Sequence, residues 1–179
     1  MRSFLIFLAT LLCTATAWAC PAQDPAQEAA LDPLYAQLRV AGSELQAQPL
    51  LGQIWGIWKT APDDRAQDLL DKGVGRLRVS DYGASKDLLS ELTEYCPNYA
   101  EGWNQLAFAK YLSNDLDGAL ADLDRTIALR PDHFAAIAGR GLTLLRMGRT
   151  ELGFNALRTA LKLHPWMSER HLLPPSEKI

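Results

Sequence analysis

The side chains that most often carry out chemistry in proteins are sparse in this chain, and their spacing predicts neither a catalytic centre nor a metal site. The sequence contains three histidines, His133, His164 and His171. It has no His-x-x-x-His pair and no Cys-x-x-Cys pair, the spacings that commonly hold zinc. His133 lies two residues after Pro131, and His164 directly precedes Pro165. These positions favour a capping or turn role. We therefore expect no cofactor, no metal ion and no enzymatic activity.

Other motifs of catalysis or phosphate binding are also incomplete. Gly73-Val74-Gly75 has the start of a phosphate-loop spacing, but Arg78 stands at the third glycine position and no strand is predicted before it. No Gly-x-Ser-x-Gly elbow is present. The acidic pairs Asp63-Asp64 and Asp122/Asp124 are expected in a turn and on a solvated helix face. These residues predict no reaction.

The first 19 residues have the pattern of an export signal. Arg2 supplies positive charge, residues 4–13 form an apolar run, and Ala17-Trp18-Ala19 offers the small residues that a signal peptidase accepts. A membrane anchor or an N-terminal core helix is the alternative, although the apolar run is short for a bilayer span. The pattern predicts a signal peptide over residues 1–19, cleaved after Ala19, and a periplasmic, exported protein.

Cleavage of that signal leaves Cys20 and Cys96, for which the sequence permits three states. The two cysteines can form a disulfide in an oxidising compartment. Cys20 can instead carry a lipid, because it directly follows the cleavage site, although Ala17 and Trp18 match a lipoprotein signal poorly. Both thiols can also stay free.

The charge of the chain disfavours nucleic acid and membranes as partners. The sequence has 18 Lys and Arg against 21 Asp and Glu, a net charge of −3 at pH 7. No basic run supplies the electrostatic surface that a nucleic-acid binder needs or that would hold the protein to an anionic membrane. We expect a protein or peptide partner, with membrane contact only if Cys20 is lipidated.

A period of 34 residues is the strongest pattern in the sequence. It separates Pro97, Pro131 and Pro165. Three further sets of equivalent positions, here called columns, recur at the same 34-residue interval: Leu89/Leu123/Leu157, Ser85/Ala119/Gly153 and Gly73/Ala107/Gly141. Small residues let two helices approach closely, and a proline ends the second helix of a pair. The period predicts three helix pairs, over residues 64–97, 98–131 and 132–165, each joined by a turn at Ser80-Asp81, Asn114-Asp115 or Gly148-Arg149.

The segments outside the repeat are predicted from composition and periodicity. Residues 20–33, rich in Ala, Gln and Pro, are expected to be a flexible tether. Residues 34–63 are expected to form a leading helical hairpin, in which Ser43 caps the second helix. Its buried stripe is Leu51, Ile54, Trp55 and Trp58. Residues 166–179 are expected to form a short capping helix and a tail.

These columns resemble the tetratricopeptide repeat, whose pattern W-x2-L-G-x2-Y, A-x3-F and P spans one 34-residue unit. The resemblance covers residues 64–165, and the leading hairpin can be a degenerate unit. The middle unit matches best, with Trp103, Leu106, Ala107, Ala119, Leu123 and Pro131. The resemblance implies an all-α superhelix of antiparallel helix pairs. The whole layout is similar to small exported repeat proteins of proteobacteria.

Four basic residues depart from the family pattern. Lys72 and Arg140 stand where the family usually has Leu, and Arg76 and Lys110 stand where it has Tyr. We expect their stems to lie on apolar surface and their charges to point outward.

The resemblance also implies a binding surface, because the first helix of each unit lines the concave face of such a superhelix. Carried over by position, the groove residues are Leu70, Val74, Leu77, Asn104, Phe108, Tyr111, Leu142 and Leu145, with Gln67, Glu101, Ala135 and Ala138 beside them. This mostly apolar groove suits an amphipathic helix or an extended apolar segment. The chain's own lead-in helices, or a second copy in a homodimer, can cover the same residues instead.

Some family members bind a C-terminal carboxylate through a clamp of Lys, Asn and Arg. The matching positions here are Leu70, Val74, Gln105, Ala135 and Gly139, so the clamp is absent. The sequence thus predicts a non-catalytic interaction module or scaffold of the bacterial cell envelope that holds a polypeptide in the groove. The alternative is an outer-membrane assembly factor anchored by a lipid on Cys20.

Overall fold

The computed structural model describes residues 20–174, in which the chain forms eight α-helices, one short 3-10 helix and no strand. The predicted signal peptide and the residues after 174 lie outside the described residues. The helices are α1 (Pro25–Arg39), α2 (Glu44–Trp58), α3 (Asp64–Arg78), α4 (Tyr82–Tyr95), α5 (Ala100–Leu112), α6 (Leu116–Leu129), α7 (Phe134–Arg146), α8 (Thr150–Leu163) and the 3-10 helix (Ser168–Leu172). The predicted all-α fold of antiparallel helix pairs is confirmed. None of the helices within these residues is long and apolar enough to cross a membrane.

The small-residue columns lie where the two helices of a pair cross. In the third unit, a Cβ atom added to Gly141 would lie 2.8 Å from Leu157 Cδ2 and 3.0 Å from the carbonyl oxygen of Gly153. In the first unit, the hydroxyl of Ser85 donates a hydrogen bond to the carbonyl oxygen of Gly73 at 2.9 Å. The helices of each pair can therefore touch backbone to backbone only because these positions carry little or no side chain.

The turns inside the three units share one backbone conformation. Ser80, Asn114 and Gly148 have φ angles of 59°, 65° and 76°, in the left-handed region. The next residue caps the following helix in two units, where Asp81 accepts from the Ala84 N–H and Asp115 from the Gly118 N–H. The left-handed residue ends one helix, and the aspartate begins the next within two residues.

The basic residues that depart from the family pattern each pair with a carboxylate. The pairs are Lys72–Asp68 at 2.7 Å, Arg76–Asp81 at 3.4 Å, Lys110–Asp122 at 2.6 Å and Arg140–Asp124 at 2.6 Å. Asp122 is buried, which corrects the expectation that it lies on a solvated face. Burial raises the pKa of its carboxyl, and the Lys110 ammonium counteracts part of that effect.

The N-terminal segment is more ordered than the predicted flexible tether over residues 20–33. Helix α1 begins at Pro25, where Pro fits the first turn, and the Asp24 side chain accepts a hydrogen bond from the Ala26 N–H at 2.9 Å. Leu31 is buried in the hydrophobic core. Most of the segment therefore belongs to the leading hairpin, which consists of α1 and α2.

The leading hairpin packs on the third unit. One hydrophobic cluster combines hairpin residues with residues of α7, α8 and the C-terminal segment, among them Leu31, Tyr35, Ile54, Trp58, Phe134, Ile137, Leu157, Leu161, Met167 and Leu173. The Trp166 Nε1–H donates to the carbonyl oxygen of Ala41 at 2.7 Å, which fastens the C-terminal segment to the hairpin turn. The hairpin thus covers the apolar face of α8 that a further repeat would otherwise cover.

A disulfide and an ion pair fasten the start of the described chain to the repeats, and a hydrogen bond joins it to the segment after α2. The sulfurs of Cys20 and Cys96 are bonded, which joins residue 20 to the end of α4. The Gln23 amide donates to the carbonyl oxygen of Thr60. Arg130, mostly buried, pairs with Glu28 of α1 at 2.5 Å. These contacts therefore hold the N-terminal segment at the first and second units, in addition to the packing of the hairpin on the third.

We predict that the double variant Cys20→Ser/Cys96→Ser loses about 4 kcal/mol of unfolding free energy, because a cross-link that closes a loop of this length restricts the unfolded chain. The sequence separation of 76 residues sets that length. Urea unfolding of the variant measures the loss, and the wild-type protein under reducing conditions is the matched comparison. Equal stability of the oxidised and reduced wild type would contradict the disulfide.

The helix crossing of the third unit gives a second prediction. We expect Gly141→Ala to lower the unfolding free energy by about 1–3 kcal/mol, because the new methyl group overlaps Leu157 and a backbone carbonyl. Gly75→Ala, in α3, meets nothing within 4 Å and should raise it by about 0.5–1 kcal/mol. Thermal and urea unfolding measure both. A Gly141→Ala variant as stable as Gly75→Ala would show that the crossing is looser than described.

Candidate binding site on the inner face of the repeats

Helix α2 crosses the inner face of the repeats, the face formed by α3, α5 and α7. The indole of Trp58 stacks on the imidazole of His133, with ring centres 3.8 Å apart and planes 15° apart, and its centre lies 4.8 Å from that of Phe134. The Trp58 Nε1–H donates to the Tyr35 hydroxyl at 3.0 Å. Burial raises the pKa of that hydroxyl, which stays protonated. Trp58 is 1% exposed and holds α2 in place.

A buried polar network supports this stack from the repeat side. His133 caps α7, since its Nδ1 accepts the Ala136 N–H at 3.1 Å. The ring proton is therefore on Nε2, which donates to Oε2 of Glu101 at 3.0 Å. The side-chain amides of Asn104 and Gln105 donate to the same carboxylate at 3.1 and 2.6 Å. Three donors thus satisfy a Glu101 that is only 2% exposed.

An open, mostly apolar cavity of about 280 Å³ remains between α2, α5 and α7. Its lining residues are Trp55, Lys59, Asn104, Gln105, Ala107, Phe108, Tyr111, Leu123, Ala135, Gly139, Leu142 and Thr143. Phe108 is 50% exposed, unusual for a phenylalanine within a helix. The cavity is the part of the inner face that α2 leaves uncovered.

Two cations lie against aromatic rings at this cavity. The Lys59 ammonium is 5.0 Å from the ring centre of Trp55. The Arg146 guanidinium is 4.9 Å from the ring centre of Tyr111 and donates to that residue's carbonyl oxygen at 2.9 Å. None of the residues that line the cavity is acidic. The site therefore combines an apolar interior with positive charge beside it.

The structure brings four of the eight predicted groove residues together in the cavity: Asn104, Phe108, Tyr111 and Leu142. Leu70 and Leu77 are buried in the core formed with α4 and α5, and Val74 packs against the same core. Leu145 lies against α8, because a Cβ added to Gly153 would be 2.7 Å from its Cγ. The groove prediction is therefore wrong for these four residues, because their side chains pack against neighbouring helices. Within the repeats, the residues that line the cavity belong to the second and third units.

The sequence interpretation gave coverage of the groove by the lead-in helices as one alternative, but it did not place residues of that hairpin in the wall of the site. Trp55 was predicted as a buried stripe residue of the hairpin, but it is half-buried and lines the cavity together with Lys59. The sequence feature that could have indicated this role is the width of the apolar stripe formed by Leu51, Ile54, Trp55 and Trp58. Of the clamp positions, Gln105, Ala135 and Gly139 line the cavity and carry no charge. Within residues 20–174, no three or more His, Cys, Asp or Glu side chains gather where a metal ion could bind.

The antiparallel pairs, the 34-residue columns and the inner face of first helices define a tetratricopeptide-repeat protein. No protein-family model matches the chain. A TPR repeat-containing protein of Rhizobium etli is 25% identical over 138 residues, which cover 75% of this chain and 66% of the relative. The chain thus spans slightly less than two thirds of that relative's length.

Solved structures show the same fold at low identity. The first TPR of Spaghetti (RPAP3), bound to an HSP90 peptide, has 20% identity and a TM-score of 0.57, over 59% of this chain and 83% of that one. MamA from Desulfovibrio magneticus has 18% identity and a TM-score of 0.53, over 74% of this chain and 75% of that one. At these identities the likeness concerns the fold alone.

The network behind the cavity gives a third prediction. We expect Glu101→Gln to lower the unfolding free energy by about 1–3 kcal/mol, because an amide cannot accept from all the donors that the carboxylate satisfies. Glu94→Gln changes an exposed glutamate of α4 and should stay within about 0.5 kcal/mol of wild type. Urea unfolding compares the two. If both substitutions had the same small effect, Glu101 would not be the buried acceptor described.

Proposed function

We propose that this protein is a non-catalytic interaction module of the bacterial cell envelope, which holds a segment of a partner protein in the cavity between α2, α5 and α7. The observation that carries the proposal is Phe108, half-exposed on an apolar cavity that the chain's own hairpin leaves open. Apolar concave surface of this kind is typical of binding sites. The RPAP3 structure, with a bound HSP90 peptide, supports the idea that this fold can hold a peptide.

The Cys20–Cys96 bond supports a location outside the cytoplasm, because structural disulfides persist in oxidising compartments. The signal-like pattern of residues 1–19 points to the same compartment. On these grounds we propose that the module is periplasmic. A lipid anchor on Cys20 would need the sulfur atom that the disulfide already uses, so we do not propose the outer-membrane alternative.

The inner face also favours binding over catalysis. Its buried titratable pair, Glu101 and His133, is closed off from solvent and fully engaged in capping and hydrogen bonding. The other side chains that hydrogen-bond to this pair are the amides of Asn104 and Gln105, which are not nucleophiles. A catalytic group needs access to a substrate, whereas this pair supports the packing of Trp58.

We expect Phe108→Glu to abolish capture of the partner, because it places a charge in the apolar cavity. The measurement is affinity capture from a periplasmic extract of the native organism, followed by mass spectrometry. Leu152→Glu is the matched control, since Leu152 is a helical residue of similar exposure (47% against 50%) that does not line the cavity.

Wild type and Leu152→Glu should recover the same partner, and Phe108→Glu should lose it. Recovery of the same proteins by all three forms would show that the cavity is not the binding site. Both variants should unfold at the wild-type temperature within a few degrees, which separates loss of binding from loss of fold.

A further inference from the structure

We infer that the cavity takes one large apolar side chain from a partner segment that also carries acidic residues, an inference that rests on the proposed function. The size of the site is the first reason. Helix α2 lies on the inner face at the third unit, where Trp58 stacks on His133 and contacts Phe134 of α7. Ile54 is buried in the same hydrophobic cluster. A partner helix therefore cannot lie along the three units. The open volume of about 280 Å³ lies just below the range of about 300–1,000 Å³ typical of small-molecule pockets, which suits a single side chain.

The lining sets the chemistry of that side chain. Trp55, Phe108 and Leu142 present apolar surface. The amide groups of Asn104 and Gln105 each direct one N–H to Glu101, so part of their hydrogen-bonding capacity is already used within the protein. Burial of a polar side chain here without a hydrogen-bond partner is unfavourable. An aromatic or a long aliphatic side chain is the group that fits.

The charges beside the cavity set the chemistry of the flanking residues. Lys59, which follows α2, and Arg146, the last residue of α7, lie over aromatic rings rather than against carboxylates. The nearest carboxylate in the network, Glu101, lies behind the lining at 2% exposure and is bound by His133, Asn104 and Gln105. The charges exposed at the cavity are therefore those of Lys59 and Arg146. This local positive charge stands out in a chain of net charge −3. Acidic groups beside the docked side chain complement it.

Lys59 follows the last residue of α2, and Trp55 belongs to that helix, so the hairpin supplies part of the specificity. A repeat protein of this class would ordinarily read its ligand with the first helices of the units. Here one wall of the site comes from outside the 34-residue repeat. The residues that select the partner are therefore Trp55, Lys59, Phe108 and Arg146.

The test is selection of a phage-displayed random heptapeptide library on the purified, oxidised protein, with Phe108→Glu as the counter-selection target. We expect enriched peptides to carry one Trp, Phe or Leu next to Asp or Glu. A synthetic copy of the most enriched peptide should bind about three-fold more weakly to Lys59→Gln and to Arg146→Gln, as exposed ion pairs predict. A copy with Asn and Gln in place of Asp and Glu should not respond to either variant.

Other results of the selection would contradict different parts of the proposal. Enriched apolar peptides that are neutral or basic would overturn the acidic preference and leave the cavity as the binding site. No enrichment over Phe108→Glu would contradict the proposed function itself. A wild-type dimer in sedimentation that Phe108→Glu converts to a monomer would identify a second copy as the occupant and would also overturn the inference.

Discussion

The stacking of Trp58 on His133 joins the two parts of the molecule, the leading hairpin and the repeats. His133 serves three contacts at once, because its Nδ1 caps α7, its Nε2–H binds Glu101 and its ring face carries the indole. Trp58 in turn donates to Tyr35 and accepts from Tyr99 at its carbonyl oxygen. Aromatic stacking over a satisfied polar network fixes both position and orientation. The place of α2 on the inner face, and hence the shape of the cavity, follows from this contact.

A repeat array leaves an apolar face at its end unless something covers it. This chain covers the face of α8 with α1, α2 and the C-terminal segment around Met167 and Leu173. The Cys20–Cys96 bond and the Arg130–Glu28 pair then hold the same hairpin near the first two units. One structural element therefore closes the array and narrows its groove to a cavity. Stability and the size of the binding site are linked through the hairpin.

The repeat was readable from the sequence because its constraints are local and recur every 34 residues. Gly141 and Gly153 must be small wherever two helices cross, and Gly148 must turn the chain. The place of the hairpin was not readable, since its contacts with Phe134 and Leu157 join residues far apart in the chain. The sequence also placed Leu70 and Leu77 in the groove by analogy with the family, although α4 and α5 bury them. Composition alone also favoured a tether where Asp24 and Pro25 begin a helix.

The most direct test of this account is the set of nuclear Overhauser effects from the indole protons of Trp58 in the oxidised protein. The ring distances to His133 and Phe134 predict strong effects to the side-chain protons of both residues. These Overhauser effects from Trp58 should persist in the Phe108→Glu variant, in which the cavity is altered. Effects from Trp58 confined to its own hairpin and to α3 would mean that the hairpin extends the array from the first unit, and they would contradict the closed arrangement and the cavity that depends on it.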